Sequence, residues 1–323
     1  MSLSLLNYPP LVASTGIGLG FGLPYMQQLA TNVPWTAVKV ASAVAYGINF
    51  LSVSRPGRLD GQAAAVANDG ELSPRNGKTL VAPAGWAFAI WAPIFLGELT
   101  YVTYQLFVPE SSLLVPTLRK ISAPFIASQL FQSLWCAAFR PKYKGNLMFI
   151  STGLLSATAY SLSKAHKIFS NQSNVKGFSA LQYGILCLPL ALHFGWTTAA
   201  SLVNLNGAIA MKESSSSKVI AIVGHLSVIL ASILGVGISA TRSSPVFGGV
   251  ITWALLAVAD SMKSRIEMAD IGKGKKVKEI PGIYGAYTQL ILSKAGALVS
   301  GLTSAFVASS IFFSNSSKAV PAP

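Results

Sequence analysis

The amino-acid sequence predicts an all-α, polytopic membrane protein, a bundle of about eight transmembrane helices. Only 11% of the 323 residues are charged and 52% are hydrophobic, whereas about 25% of residues are charged in soluble proteins. The mean hydropathy is +0.54, and long uncharged segments recur from one end of the chain to the other. This composition excludes disordered, coiled-coil, collagen-like and disulfide-stapled secreted proteins.

Eight segments have the length and composition of transmembrane helices, which need about 20 mostly apolar residues. These segments are 33–53, 83–106, 121–139, 146–163, 185–208, 219–240, 245–262 and 292–313. Residues 11–30 are also apolar, but Pro24 and four glycines at alternate positions disfavour a straight helix. We therefore interpret residues 11–30 as an additional interfacial or re-entrant segment.

The distribution of basic residues predicts the orientation of the chain. The connections after the first, third, fifth and seventh predicted spans contain 15 of the 24 Lys and Arg residues, and the opposite side contains 7. Connections rich in Lys and Arg stay on the cytoplasmic side or its organellar equivalent, so we expect both termini on the non-cytoplasmic side. The net charge of +14 also predicts contact with anionic lipid headgroups, including contact by residues 272–276. We expect no nucleic-acid partner, because no soluble domain would carry that contact.

Aromatic and polar side chains mark one face of the second predicted span. At steps of three and four residues, this face carries Phe88, Trp91, Phe95, Glu98, Val102 and Gln105. A carboxylate in hydrocarbon is costly, so Glu98 is expected to face protein or water. It could bind a neighbouring helix through a hydrogen bond. We also hypothesise a salt bridge to Lys39 of the first span, with extension of Lys39 to the outer surface as the alternative.

Two further spans carry polar groups on one face. The third span presents Gln129, Gln132, Trp135 and Cys136, and the fifth aligns His193, Thr197, Ala200 and Asn204, with Trp196 beside them. Two alternatives explain these polar side chains: they form hydrogen bonds between helices, or they line a polar cavity. No second His or carboxylate lies at ligand spacing from His193, so we expect no metal site. The residues also form no set of nucleophile, base and orienting group, so an enzyme is not the favoured class.

Three motifs in these spans resemble the translocator protein (peripheral benzodiazepine receptor) and tryptophan-rich sensory protein family. The second span, from Pro83-Ala-Gly-Trp to Phe95, is similar to the family's Pro-x-Gly-Trp/Tyr-x-Phe stretch. Gln129-Leu-Phe-Gln-Ser-Leu-Trp135 is similar to Gln-Leu-x-x-Asn-x-x-Trp, with Gln where Asn is usual. Trp196, Ala200 and Asn204 match Trp-x-x-x-Ala-x-x-x-Asn. Phe95 stands where Tyr is common, and three spans follow the usual five.

The resemblance implies a domain organisation and a function. It implies an N-terminal segment (1–32), a five-helix bundle (33–210), three additional helices (211–313) and a tail (314–323). It also implies a sensor or carrier that requires no cofactor and binds a porphyrin, another tetrapyrrole or a similar hydrophobic ring compound. The residues implied to line the cavity are Trp86, Trp91, Phe95, Gln129, Gln132, Trp135, Trp196, Ala200 and Asn204, and helical phase adds Glu98 and His193. The alternative is a structural or assembly subunit, in a homodimer or larger membrane complex, with a vestigial pocket.

Overall fold

The computed structural model describes residues 8–55, 79–140, 142–143, 145–212, 214–271 and 284–318. These residues contain no strand, and nine of their helices have 17 residues or more. We number these long helices α1 (Pro9–Asn32), α2 (Trp35–Val53), α3 (Trp91–Phe107), α4 (Val115–Ala138), α5 (Met148–Ser170), α6 (Leu188–Ala210), α7 (Ser217–Thr241), α8 (Pro245–Ile271) and α9 (Ala286–Lys318). The all-helical fold is confirmed. The basic residues 272–276 lie outside the described residues.

Six helical segments are long and apolar enough to cross a membrane. They contain α2, α3, α6, α7, α8 and α9, at six of the eight predicted spans. The helices at the other two predicted spans, α4 and α5, are not among these apolar segments and pack against each other. Of the 24 residues of α4, 18 are buried. A helix that other helices surround needs no apolar surface for lipid, which explains why α4 tolerates polar side chains.

Residues 11–30 belong to a continuous helix, α1, and not to a re-entrant segment. Its 24 residues extend about 36 Å, which matches the thickness of the hydrocarbon core in length, but α1 is not among the six segments that are also apolar enough. Pro24 removes only the backbone hydrogen bond to Gly20, and Gly16 lets the side chain of Leu154 approach the helix closely. Gly16 therefore serves helix packing, whereas an added Cβ at Gly18 or Gly22 would meet no atom within 4 Å.

The direction of α1 places its first residues at one end of the bundle. At one end of the helix, Arg119 at the start of α4 donates hydrogen bonds to the carbonyl oxygens of Ala30 (2.9 Å) and Val33 (2.7 Å). At the other end, Val12 belongs to the same buried cluster as Phe139, which follows α4. Because α1 thus runs antiparallel to α4 along its length, the beginning of α1 lies at the end of the bundle that was predicted to be cytoplasmic. The membrane side of each terminus stays a prediction.

The second predicted span begins with a 3₁₀ turn, Gly85–Ile90, and becomes α-helical at Trp91. Pro93 explains the change, because it has no N–H for an α-helical bond to Ala89 and its ring would crowd that carbonyl. The segment before the turn, residues 79–84, crosses one end of the bundle and is attached to α8. Arg265 donates to the Thr79 carbonyl oxygen (2.6 Å), and the Ala84 N–H donates to the Ala257 carbonyl oxygen (2.9 Å).

The C-terminal helices pack directly on the rest of the bundle. Both α7 and α8 contact α6, and α8 also contacts the 3₁₀ turn. The approach of α8 to α6 is close at Gly195, where an added Cβ would lie 2.8 Å from the Cβ of Val250. The helices on the two sides of residue 210 are therefore packed against each other. The helix α9 continues to Lys318, so it extends into the predicted tail.

Candidate functional site

A chain of hydrogen bonds joins five polar side chains on four helices. At one end, Nδ1 of His193 (α6) lies 2.6 Å from Oε1 of Glu98 (α3), and Gln129 (α4) donates to Oε2 at 3.0 Å. At the other end, the side-chain amide of Asn49 (α2) donates to Gln129 at 2.6 Å and to Gln132 at 2.8 Å. All five residues are fully buried. The chain therefore ties α2, α3, α4 and α6 together inside the protein.

The structure decides between the sequence-based interpretations of Glu98. The expectation that Glu98 binds neighbouring helices is confirmed by its bonds to His193 and Gln129. The hypothesis of a salt bridge to Lys39 is wrong. The Lys39 ammonium donates instead to the carbonyl oxygens of Leu106 (2.8 Å) and Val108 (3.3 Å). The end of α3 attracts this cation because the last carbonyl groups of a helix lack partners within the helix.

Three tryptophans on three helices surround a cavity of about 80 Å³. Trp91 comes from α3, Trp135 from α4 and Trp196 from α6, and Ala200 and Asn204 of α6 complete the predicted residues in its wall. Five of the eleven predicted site residues therefore meet around one space. This volume is below the roughly 300–1,000 Å³ of typical ligand sites, so a large ligand must displace side chains of the wall.

The C-terminal helices form the other side of this cavity. Its wall includes Val228 and Ala231 from α7, Ile251 and Leu255 from α8, and Val81 to Pro83 from the segment that crosses the bundle. Sequence reasoning missed these residues, because apolar side chains in an apolar span carry no signal of their own. It also missed Phe139, which stacks on Trp135 with ring centroids 5.3 Å apart. Its position four residues after Trp135 on a helical face is a signal that could have identified it.

Polar groups in the cavity wall are few and mostly engaged with protein. The Asn204 side-chain oxygen accepts hydrogen bonds from the Trp135 indole (3.2 Å) and the Ser151 hydroxyl (2.7 Å). The indole Nε1 of Trp196 is buried, and no acceptor for it occurs in the part of the chain that the structure describes. An unsatisfied buried donor is costly, so Trp196 favours a ligand with an acceptor atom over a purely hydrocarbon one.

The aromatic rings of the site form one cluster. Trp91 meets Trp196 edge-on with centroids 6.1 Å apart, and it meets His193 edge-on at 5.8 Å. On its other side Trp91 stacks on Phe95, with centroids 5.4 Å apart. The indole of Trp91 thus separates the cavity from the buried polar chain.

Six predicted site residues lie outside the cavity wall: Trp86, Phe95, Glu98, Gln129, Gln132 and His193. Phe95 lies behind Trp91, and the four polar residues belong to the buried chain. Trp86 is 42% exposed and donates a hydrogen bond of 3.0 Å to Asp260. Its ring also meets Trp253 edge-on at 4.7 Å. The helical phase of Glu98 and His193 indicated their inward direction but not the polar chain that they join.

A sequence model of the TSPO-like protein family matches residues 35–271. The chain belongs to the TSPO-like protein family. The match covers α2 to α8 and therefore extends beyond residues 33–210, which carry the recognised motifs. It includes both C-terminal helices that line the cavity of this TSPO-like protein. Neither a curated protein nor a solved structure matches the chain.

Proposed function

We propose that this TSPO-like membrane protein binds a flat, hydrophobic ring compound, such as a tetrapyrrole, and acts as its sensor or carrier. The observation that carries the proposal is the meeting of Trp91, Trp135 and Trp196 around one cavity. Indole faces stack on flat rings, and each such contact contributes about 0.5–1.5 kcal/mol beyond the burial of area. The unpaired indole N–H of Trp196 supports a ring that carries acceptor atoms.

The size of the cavity bears on how such a ligand binds. A space of about 80 Å³ does not hold a whole tetrapyrrole. Binding would therefore require the walls to separate. The helices α7 and α8 make apolar contacts with the cavity and are not part of the buried polar chain, so they can move without breaking that chain. On this proposal α7 and α8 move away from α6 when the ligand enters. The ligand then stacks on the tryptophans of α3, α4 and α6.

Fluorescence titration tests the proposal. Protoporphyrin should quench the intrinsic tryptophan fluorescence of the purified protein saturably, with micromolar affinity or better. The substitutions Trp91→Leu and Trp135→Leu should weaken binding about 3- to 10-fold, which is the loss of one stacked wall. Trp253→Leu is the matched control, because Trp253 does not line the cavity. Equal effects of the three substitutions, or quenching that does not saturate, would contradict the proposal.

The small cavity also favours a second candidate function. A structural or assembly subunit, in a homodimer or a larger membrane complex, would retain the packed aromatic cluster without an enclosed ligand. The two functions differ in whether a pigment accompanies the protein. A bound tetrapyrrole gives visible absorbance in protein purified from its native membrane, whereas a purely structural subunit is colourless and is purified with partner proteins.

We also propose an orientation in the membrane. The Lys- and Arg-rich connections would face the cytoplasm or its organellar equivalent. The beginning of α1 would then lie on that side, together with the segment 79–84. The end of α9 would lie on the opposite side, because the hydroxyl of Ser304 donates to the carbonyl oxygen of Pro245, at the start of α8. The termini of the protein would thus lie on opposite sides.

A further inference from the structure

A second cavity, of about 330 Å³, lies at the end of the bundle where α6 and α8 begin. Its walls come from the segment between α5 and α6, the first turn of α6, the turn between α7 and α8, and α9. It shares no lining residue with the aromatic cavity and is about four times larger. Its volume falls within the range of typical ligand sites. We propose that this second cavity binds the glycerol-ester end of an uncharged membrane lipid.

The lining of the second cavity contains polar groups that other side chains leave available. Gln172, Tyr183 and Ser243 line it, and none of their polar side chains forms a hydrogen bond with another described residue. Ser243 has φ of 48°, a left-handed conformation that costs free energy for a residue other than glycine. This conformation places Ser243 at the tip of the tight turn between α7 and α8.

A fourth polar group is held in a fixed position. The Ser244 hydroxyl lies 2.8 Å from Nε2 of the buried His166 side chain. The contact with His166 fixes the orientation of the Ser244 hydroxyl. The hydroxyl can still form a hydrogen bond with a ligand in the cavity. Hydroxyl and amide groups of this kind bind ester carbonyls and a glycerol hydroxyl through neutral hydrogen bonds.

The rest of the lining is apolar and reaches the membrane-facing surface. Leu188, Ala191 and Val246 form part of the wall, and Ile311 of α9 closes one side. The side chains of Leu188 and Ile311 are 39% and 37% exposed, so the apolar side of the cavity is open at the surface of the bundle. Polar groups near the helix ends and apolar groups beside them match the boundary between lipid headgroups and acyl chains.

The absence of charge among the described lining residues favours uncharged lipids over anionic ones. None of the ten described residues that line the second cavity is charged. The nearest guanidinium in sequence, that of Arg242, is turned away and donates to the carbonyl oxygen and the hydroxyl of Ser163, both at 3.1 Å. A phosphate would therefore lose its hydration without a cationic partner. The site thus fits an uncharged head, such as that of a diacylglycerol, better than an anionic phospholipid.

Photo-crosslinking of the full chain tests this inference. The protein is placed in phosphatidylcholine nanodiscs with a small fraction of a diacylglycerol that carries a diazirine near its ester groups, and labelled peptides are identified by mass spectrometry. We expect labels on residues 172–191 and 243–246. Unlabelled diacylglycerol should compete with the probe, and phosphatidylglycerol should not. Labels confined to other lipid-facing surfaces, or equal competition by both lipids, would overturn the proposal.

Two variants connect the label to the cavity. Ala191→Phe fills the space and should lower the labelling at least tenfold, whereas Ala92→Phe, at an exposed position of α3, is the matched control and should leave it unchanged. The double substitution Tyr183→Phe with Ser243→Ala keeps the volume of the cavity and removes two hydroxyls. It should lower the labelling about tenfold, as expected for two lost hydrogen bonds. Labelling that survives both changes would overturn the proposal. Porphyrin binding at the aromatic cavity is measured separately and is independent of this result.

Discussion

Oε1 of Glu98 lies 2.6 Å from Nδ1 of His193, and neither side chain is exposed. Glu98 belongs to α3 and His193 to α6, and the two residues are 95 positions apart in the sequence. A carboxylate and an imidazole buried side by side give each other a hydrogen-bond partner, whereas either one alone leaves a costly polar group inside the bundle. This pair anchors the polar chain behind the aromatic cavity.

A double-mutant cycle measures this dependence. Glu98→Leu and His193→Leu should each destabilise the protein, because each leaves its partner buried and unpaired. The double substitution should cost at least about 1 kcal/mol less than the sum of the two single losses. The measurement is the free energy of unfolding in detergent.

The matched control for this cycle pairs Glu98→Leu with Lys39→Met. Lys39 binds the carbonyl oxygens of Leu106 and Val108 and shares no partner with Glu98. The losses should therefore add to within about 0.5 kcal/mol. Additive losses for Glu98 and His193 would contradict the structure, and so would coupling between Glu98 and Lys39.

The direction of α1 predicts on which side the N-terminal end of the protein is accessible. Tyr8 and Leu113 are exposed at opposite ends of the bundle, before α1 and before α4. In a background without Cys136 and Cys187, Tyr8→Cys and Leu113→Cys should react with a membrane-impermeant maleimide from opposite sides of sealed vesicles. Reaction of both cysteines from the same side would show that α1 does not cross the membrane.

The close contact between α6 and α8 predicts how a methyl group added at Gly195 changes the stability of the protein. An added Cβ at Gly195 would lie 2.8 Å from Val250, so Gly195→Ala should destabilise the protein by about 1–3 kcal/mol, measured as a lower free energy of unfolding. Gly153 is the control, because an added Cβ there meets no atom within 4 Å. Gly153→Ala should be neutral or stabilising by up to about 1 kcal/mol, since alanine favours the helix. A stable Gly195→Ala variant would mean that α8 packs less closely on α6.

The sequence predicted those features of the fold that depend on local composition. Apolar segments identified the helices, and steps of three and four residues placed Glu98 and His193 on inward-facing sides. Their pairing was not predictable from the sequence. The periodicity of one helix shows which of its faces points inward, but it does not show how α3 and α6 are rotated and shifted relative to each other. Lys39 shows the same limit, since its partners are backbone carbonyl groups whose positions follow from where α3 ends.

The candidate site was predictable to the extent that its residues are chemically distinctive. Trp91, Trp135, Trp196 and Asn204 are unusual inside predicted spans, and they meet at the cavity. The contributions of α7 and α8 are ordinary valine, alanine, isoleucine and leucine side chains, which are common in every transmembrane helix. Asn49 was also missed, although a single amide inside an apolar span is a signal for a hydrogen bond between helices.

The dissociation constant of protoporphyrin for a variant with a filled cavity is the most direct test of the proposed function. Ala200 lines the aromatic cavity, and Ala200→Leu should occupy much of its space of about 80 Å³. The variant should bind protoporphyrin at least tenfold more weakly than the unmodified protein. Ala89→Leu, at an exposed position of the 3₁₀ turn, is the matched control and should change the dissociation constant less than twofold. Equal affinities for the unmodified protein and both variants would contradict binding in the aromatic cavity.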